Sequence, residues 1–104
     1  MTVARVAVLC PDLLFGSRVE GMLRAAGHEP VAADQPADAA IVDLTDEAED
    51  RIARAPSGMP RLAFYSHVEN DVRLAAKEAG FEMVVPRSRM AREGAALVER
   101  LLAG

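Results

Sequence analysis

The sequence predicts an α/β fold: an open five-stranded parallel sheet with helices on both faces, a three-layer sandwich. Three observations carry this. Short apolar runs recur along the 104 residues, at 3–9, 39–44, 61–66 and 81–86. Such near-continuous runs are typical of strands buried on both faces. Stretches with helical spacing of apolar residues alternate with them. Glycines stand where those helical stretches should stop, at Gly27 and Gly80. No internal repeat or linker interrupts the pattern, and the length suits one domain, 1–104, with one modest core.

VARVAVL (3–9) reads as the first strand. Pro11 and Asp12 open a helix, with Asp12 as N-cap. Phe15, Val19, Met22, Leu23 and Ala26 fall on one face of it, while Gly16 and Gly21 weaken it locally. HEPVAA (28–33) reads as a second strand at a sheet edge, because Pro30 has no N–H for a ladder. AAIVDL (39–44) is the third strand. Only DQPAD (34–38) separates it from the second, whereas a parallel crossover normally takes about a dozen residues. The helix expected there is shortened or missing.

Asp46 and Glu49 resemble a capping box for a helix running to about Ala55. Pro56, Ser57, Gly58 and Pro60 form a loop before the fourth strand, RLAFYS (61–66). Asp71 is the expected cap of a helix with Val72, Ala75, Ala76 and Ala79 on one face. FEMVVP (81–86) is the fifth strand. Ser88 is the expected cap of a last helix whose inner face is Met90, Gly94, Leu97, Val98 and Leu101.

Composition narrows the function. Net charge is −4, which argues against nucleic acid as partner, since such footprints are basic. The charge is uneven: residues 1–50 carry ten Asp and Glu against three Arg, and residues 51–104 carry six against nine Lys and Arg. No apolar run approaches the roughly 20 residues of a membrane span. A single Cys excludes an internal disulfide and suits a reducing compartment, so the expected location is cytoplasmic. The glycines are not spaced as a dinucleotide fingerprint, and no G-x-S-x-G nucleophile motif occurs. Three Phe and one Tyr leave little on which to stack bases or a flavin. His28 and His67 lack companions at metal-ligand spacing.

Open parallel sheets bind ligands beyond the carboxyl ends of their strands. Those ends carry Cys10, Pro11 and Asp12, then Asp43, then Ser66, then Arg87. A carboxylate, a hydroxyl and a guanidinium thus converge from three strands. Asp43 at the end of a buried strand needs a partner, because an unpaired buried carboxylate is costly. Arg87 is the expected partner. Cys10 reads as a small buried hydrophobe, with a redox-sensitive thiol at the helix start as the sharper alternative.

IVDL with Asp43, FYS with Ser66, EAGFEMVVPRS and the helix RVEGMLRAAGHE resemble the receiver domain of bacterial response regulators (CheY-like, within the flavodoxin-like folds), over nearly the whole chain. The resemblance implies that Asp43 is the phospho-acceptor position. It implies a Mg²⁺-binding acid pair at Cys10 and Pro11, which are not hard oxygen ligands. It puts Arg87 where receivers carry Lys, and Met83 where many carry a switching aromatic. The 43–66 segment is short for that family.

The expectation is therefore a degenerate, stand-alone receiver, or pseudo-receiver, that acts by protein–protein interaction without phosphorylation and is not an enzyme. No cofactor or metal is expected. The partner, another protein or a second copy, is expected on the last-helix face, with Arg89, Arg92 and Arg100 as candidates. The alternative is a working phospho-accepting receiver of a two-component phosphorelay. There Asp43 takes the phosphoryl group and Asp12 serves as a weak Mg²⁺ ligand.

Overall fold

The computed structural model describes residues 3–66 and 70–104. The elements run β1 (Arg5–Leu9), α1 (Leu13–Ala25), β2 (Glu29–Ala32), β3 (Ala39–Asp43), α2 (Ala48–Arg54), β4 (Arg61–Tyr65), α3 (Asn70–Glu78), β5 (Met83–Pro86) and α4 (Arg87–Ala103). All strands are parallel, in the order β2-β1-β3-β4-β5. β2 lies at an edge, as Pro30 requires.

Period-two alternation divides the strand residues between two layers. Val6, Ile41, Leu62, Phe64 and Val85 face α1 and α4, where Phe15, Leu23, Met90, Leu97 and Leu101 close the larger core. Phe15 and Phe64 pack as a tilted pair with ring centroids 5.0 Å apart. The opposite layer is built from smaller residues, Val42, Ala63 and Ala76 with Leu44 and Phe81, under α2 and α3. Gly94 lets α4 approach α1 closely: a Cβ there would stand 2.9 Å from the Met22 methyl.

No helix joins β2 to β3; residues 33–38 form turns and loop. The register explains how so few residues suffice. β2 ends level with Val8 and β3 starts level with Val6. The chain therefore drops by only two residues, about 7 Å, while moving two strands, about 10 Å, sideways. Asp38 fastens the end of this link to β1. Its N–H donates to the Arg5 carbonyl at 2.8 Å, and its carboxylate accepts from the Arg5 N–H at 2.9 Å.

Three helix starts differ from the expectation. α2 is preceded by Glu47, not Asp46; Glu47 is left-handed (φ 52) and makes no capping hydrogen bond. The Asp43 carboxylate binds the Thr45 N–H, which folds the chain into a tight turn and delays the helix. Asp71 lies in the first turn of α3, not at its cap. α4 begins at Arg87 with Pro86 as its cap residue, so Ser88 is already helical. β5 runs straight into α4 without a loop, because proline is at ease in the extended conformation before a helix. His67 lies outside the described residues.

Candidate functional site

Asp12 is the N-cap of α1, as its position before an apolar-periodic stretch demands. Its Oδ1 accepts from the N–H groups of Leu14 at 3.0 Å and Phe15 at 3.1 Å. Its Oδ2 accepts from Arg87 Nη2 at 2.9 Å. The Phe15 amide first, and the Arg87 guanidinium next, hold the Asp12 carboxyl below the usual range. The Arg87 guanidinium also lies over the Phe15 ring, 4.2 Å from its centroid.

The expected Asp43–Arg87 pair is thus not formed. Arg87 opens α4 beside the start of α1, and Asp12 and Phe15 take its guanidinium. Asp43 is 3% exposed and is satisfied differently. Its Oδ1 accepts from the Thr45 N–H at 2.8 Å. Its Oδ2 faces the Cys10 thiol, which donates to it across 3.4 Å. Its carbonyl accepts from Arg51 Nη1 at 3.0 Å.

Burial, then the Asp43 charge and hydrogen bond, push the Cys10 thiol up from its ordinary 9.0 to about 12. Cys10 is therefore neither a plain hydrophobe nor a reactive thiolate. It is a donor to a buried carboxylate, an arrangement that favours the thiol over the thiolate. Gly16 makes room for it: a Cβ at Gly16 would stand 3.3 Å from the Cys10 carbonyl and 3.8 Å from Sγ.

These groups line one open cavity of about 290 Å³, formed by Pro11, Asp12, Asp43, Thr45, Asp46, Arg51 and Arg87. Ser66 is exposed and does not line it. Sequence reasoning missed Arg51, Thr45 and Asp46. Arg51 stands eight residues past Asp43, and only the true start of α2 shows that it turns back. Arg89 pairs with Glu93 at 3.4 Å on α4, away from the cavity, while Arg92 and Arg100 are exposed.

The donor set does not fit Mg²⁺. Cys10 and Pro11 offer no carboxylate, and Asp12 is already engaged by two amides and a guanidinium. Among the described residues, no group of three His, Cys, Asp or Glu side chains is arranged to hold a metal ion. None of the described helices is long and apolar enough to cross a membrane. His28 is committed elsewhere: Nδ1 accepts from the Ala4 N–H at 3.2 Å, and Nε2 is 2.6 Å from Glu99 Oε1.

No protein-family model matches the sequence, and no curated protein sequence does. Solved structures do resemble it. A response regulator from Thermotoga maritima superposes with TM-score 0.78 at 15% identity, covering 99% of this chain and 100% of that one. A two-component response regulator of the LuxR family from an Aurantimonas species gives TM-score 0.79 at 23% identity, covering 99% and 87%. NtrX from Brucella abortus gives 0.79 at 16%, covering 98% of this chain and 27% of that one. The chain thus spans about a quarter of NtrX. At these identities the likeness establishes the fold: that of response-regulator receiver domains, here without a helix between β2 and β3.

Proposed function

We propose that this chain is a receiver-fold signalling module that acts by binding protein, and that the Asp43 position no longer serves as a phosphoryl switch. One observation carries the reading. Of the three carboxylates that line the cavity, Asp12 and Asp43 are already satisfied from within the chain, Asp43 by the Cys10 thiol and the Thr45 amide, Asp12 by Arg87 and its own helix. Phosphoryl transfer to a carboxylate needs charge neutralisation on the moving oxygens, mostly from metal and a cation. Here Arg87 is tied to Asp12, Arg51 is held by the Asp43 carbonyl, and the metal ligands are replaced. On this reading the module is not an enzyme and works without a cofactor. Its partner docks on the outer side of α4, where Arg89, Arg92 and Arg100 project.

The test is a ¹H–¹⁵N correlation spectrum with and without Mg²⁺ and beryllofluoride, a mimic of the aspartyl phosphate. The expected spectrum is unchanged at saturating reagent. Shifts centred on Asp43, Thr45 and Arg87 that vanish in Asp43→Asn would overturn the reading. They would instead support a phospho-accepting receiver with Asp12 as metal ligand. That second reading draws on Asp12 and Asp43 lining one cavity with two guanidinium groups.

A further inference from the structure

Two features near the carboxyl ends of the strands are left unexplained by the Asp43 cavity. The first is a pair of leucines. Leu13 and Leu14, in the first turn of α1, are 85% and 83% exposed. Isolated exposed leucines are ordinary, but an adjacent pair at these values costs solvation without any packing return inside the chain. One turn on stands Arg18, which makes no ion pair among the described residues. The second is an open cavity of about 810 Å³ between α2 and α3. Leu44, Ala48 and Val72 supply apolar walls, and Glu47, Glu49 and Asp50 stand around them. Arg54 neutralises Asp50 at 3.2 Å, and Arg51 reaches Glu47 only at 4.0 Å. The rim therefore keeps a negative excess.

We propose that the Leu13–Leu14 pair of one copy seats in the α2–α3 cavity of a second copy of this chain, with Arg18 against the rim carboxylates. The two surfaces are complementary in both respects that matter. An apolar projection of two side chains meets the Leu44, Ala48 and Val72 patch of a mostly polar hollow, and Arg18, exposed and without an ion pair among the described residues, meets an acidic rim. The surfaces belong to opposite layers of the sandwich, α1 on one and α2 with α3 on the other. The contact joins two different patches, so two copies either exchange it reciprocally in a closed dimer or repeat it in a chain or ring. It uses neither the α4 face nor the Asp43 chemistry, so its failure leaves the reading above untouched.

The experiment is sedimentation of the full chain over a wide concentration range, at low and high salt. Average mass should climb with concentration and fall back with salt. Leu14→Asp removes the projection, and an acid in the first turn of α1 suits the helix dipole, so the variant folds. Glu49→Arg reverses the rim on an exposed residue. Each variant alone should be monomeric, with association weakened about tenfold or more, as for truncation of an interface anchor. Mixed one to one, they should form a dimer and nothing larger, because one intact projection and one intact hollow remain. A chain that stays monomeric throughout, variants that still associate, or a mixture that stays monomeric would each overturn the proposal.

Discussion

Replacing Cys10 by alanine tests the Asp43 contact in two ways at once. At neutral pH the variant leaves Asp43 Oδ2 without its donor in a position only 3% exposed. A hydrogen bond to a charged group contributes about 1.5–3 kcal/mol, and the weak thiol donor puts the expected loss near the lower end, about 2 kcal/mol. The second signature is the pH dependence. The thiol titrates near 12 in the folded chain, against 9.0 ordinarily. A raised acid pKa means that the folded state holds the proton more tightly. The stabilisation is fully present below the unfolded value and is lost as pH rises from that value toward the folded one. Each unit corresponds to about 1.4 kcal/mol, so the whole interval amounts to about 4 kcal/mol before screening. The thiol is only half-buried, which cuts this to about 2 kcal/mol, and to about 0.7 kcal/mol one unit above the unfolded value. The assay is denaturant unfolding of both proteins at neutral pH and near pH 10. Subtracting the variant from the parent removes the contribution of every group the two proteins share. The parent should start more stable by about 2 kcal/mol, and the gap should narrow by about 0.7 kcal/mol, or roughly 3–5 °C in melting temperature. Parallel pH curves, or a thiol that reacts with a disulfide reagent at neutral pH as fast as free cysteine, would refute the reasoning.

Three further outcomes are expected. Gly16→Ala should destabilise by about 1 kcal/mol net, since crowding the Cys10 carbonyl outweighs the better helix propensity, and should shift the Cys10 and Asp43 resonances together. His28→Ala should cost about 2–3 kcal/mol in chemical unfolding, because it orphans the Ala4 N–H and leaves a void under α4; Glu99→Gln should cost much less. Arg87→Ala should cost about 0.5–1 kcal/mol from the lost contact with Phe15. In a carbon-detected titration of the same variant, the Asp12 carboxyl should move up toward its ordinary value. Its depression stabilises the parent above the unfolded value and is lost as pH falls through the folded one, so the variant should show less acid sensitivity there.

The fold was legible because its signals are local and repeated. Buried runs, glycine stops and the proline in β2 each act within a few residues. The Asp12 cap was legible for the same reason, since an Asp before a helical stretch binds the next free amides. Ion-pair partners were less accessible. Charge and position at the strand ends match Arg87 to Asp43, but β5 entering α4 without a loop sets Arg87 beside the start of α1, within reach of Asp12 and Phe15. The starts of α2 and α4 depart from Asp46 and Ser88 because side chains elsewhere and strand geometry, not capping chemistry, fix those turns. Arg51 was missed for a related cause: its direction depends on Glu47 being left-handed, which nothing in its own neighbours announces.

The six-residue link between β2 and β3 bears on how the molecule breathes. A helical crossover would act as slack, letting an edge strand peel away while the centre of the sheet stays zipped. Here Asp38 clips the end of the link to the Arg5 backbone, the same residue that stands opposite Glu29 of β2. Detaching β2 therefore loosens Arg5, to which the start of β3 is also fastened through Asp38. Amides of Val31 and Ala32 should exchange in the same cooperative opening as those of Ala40 and Ile41, not in an earlier one of their own. The edge strand is leashed to the sheet centre.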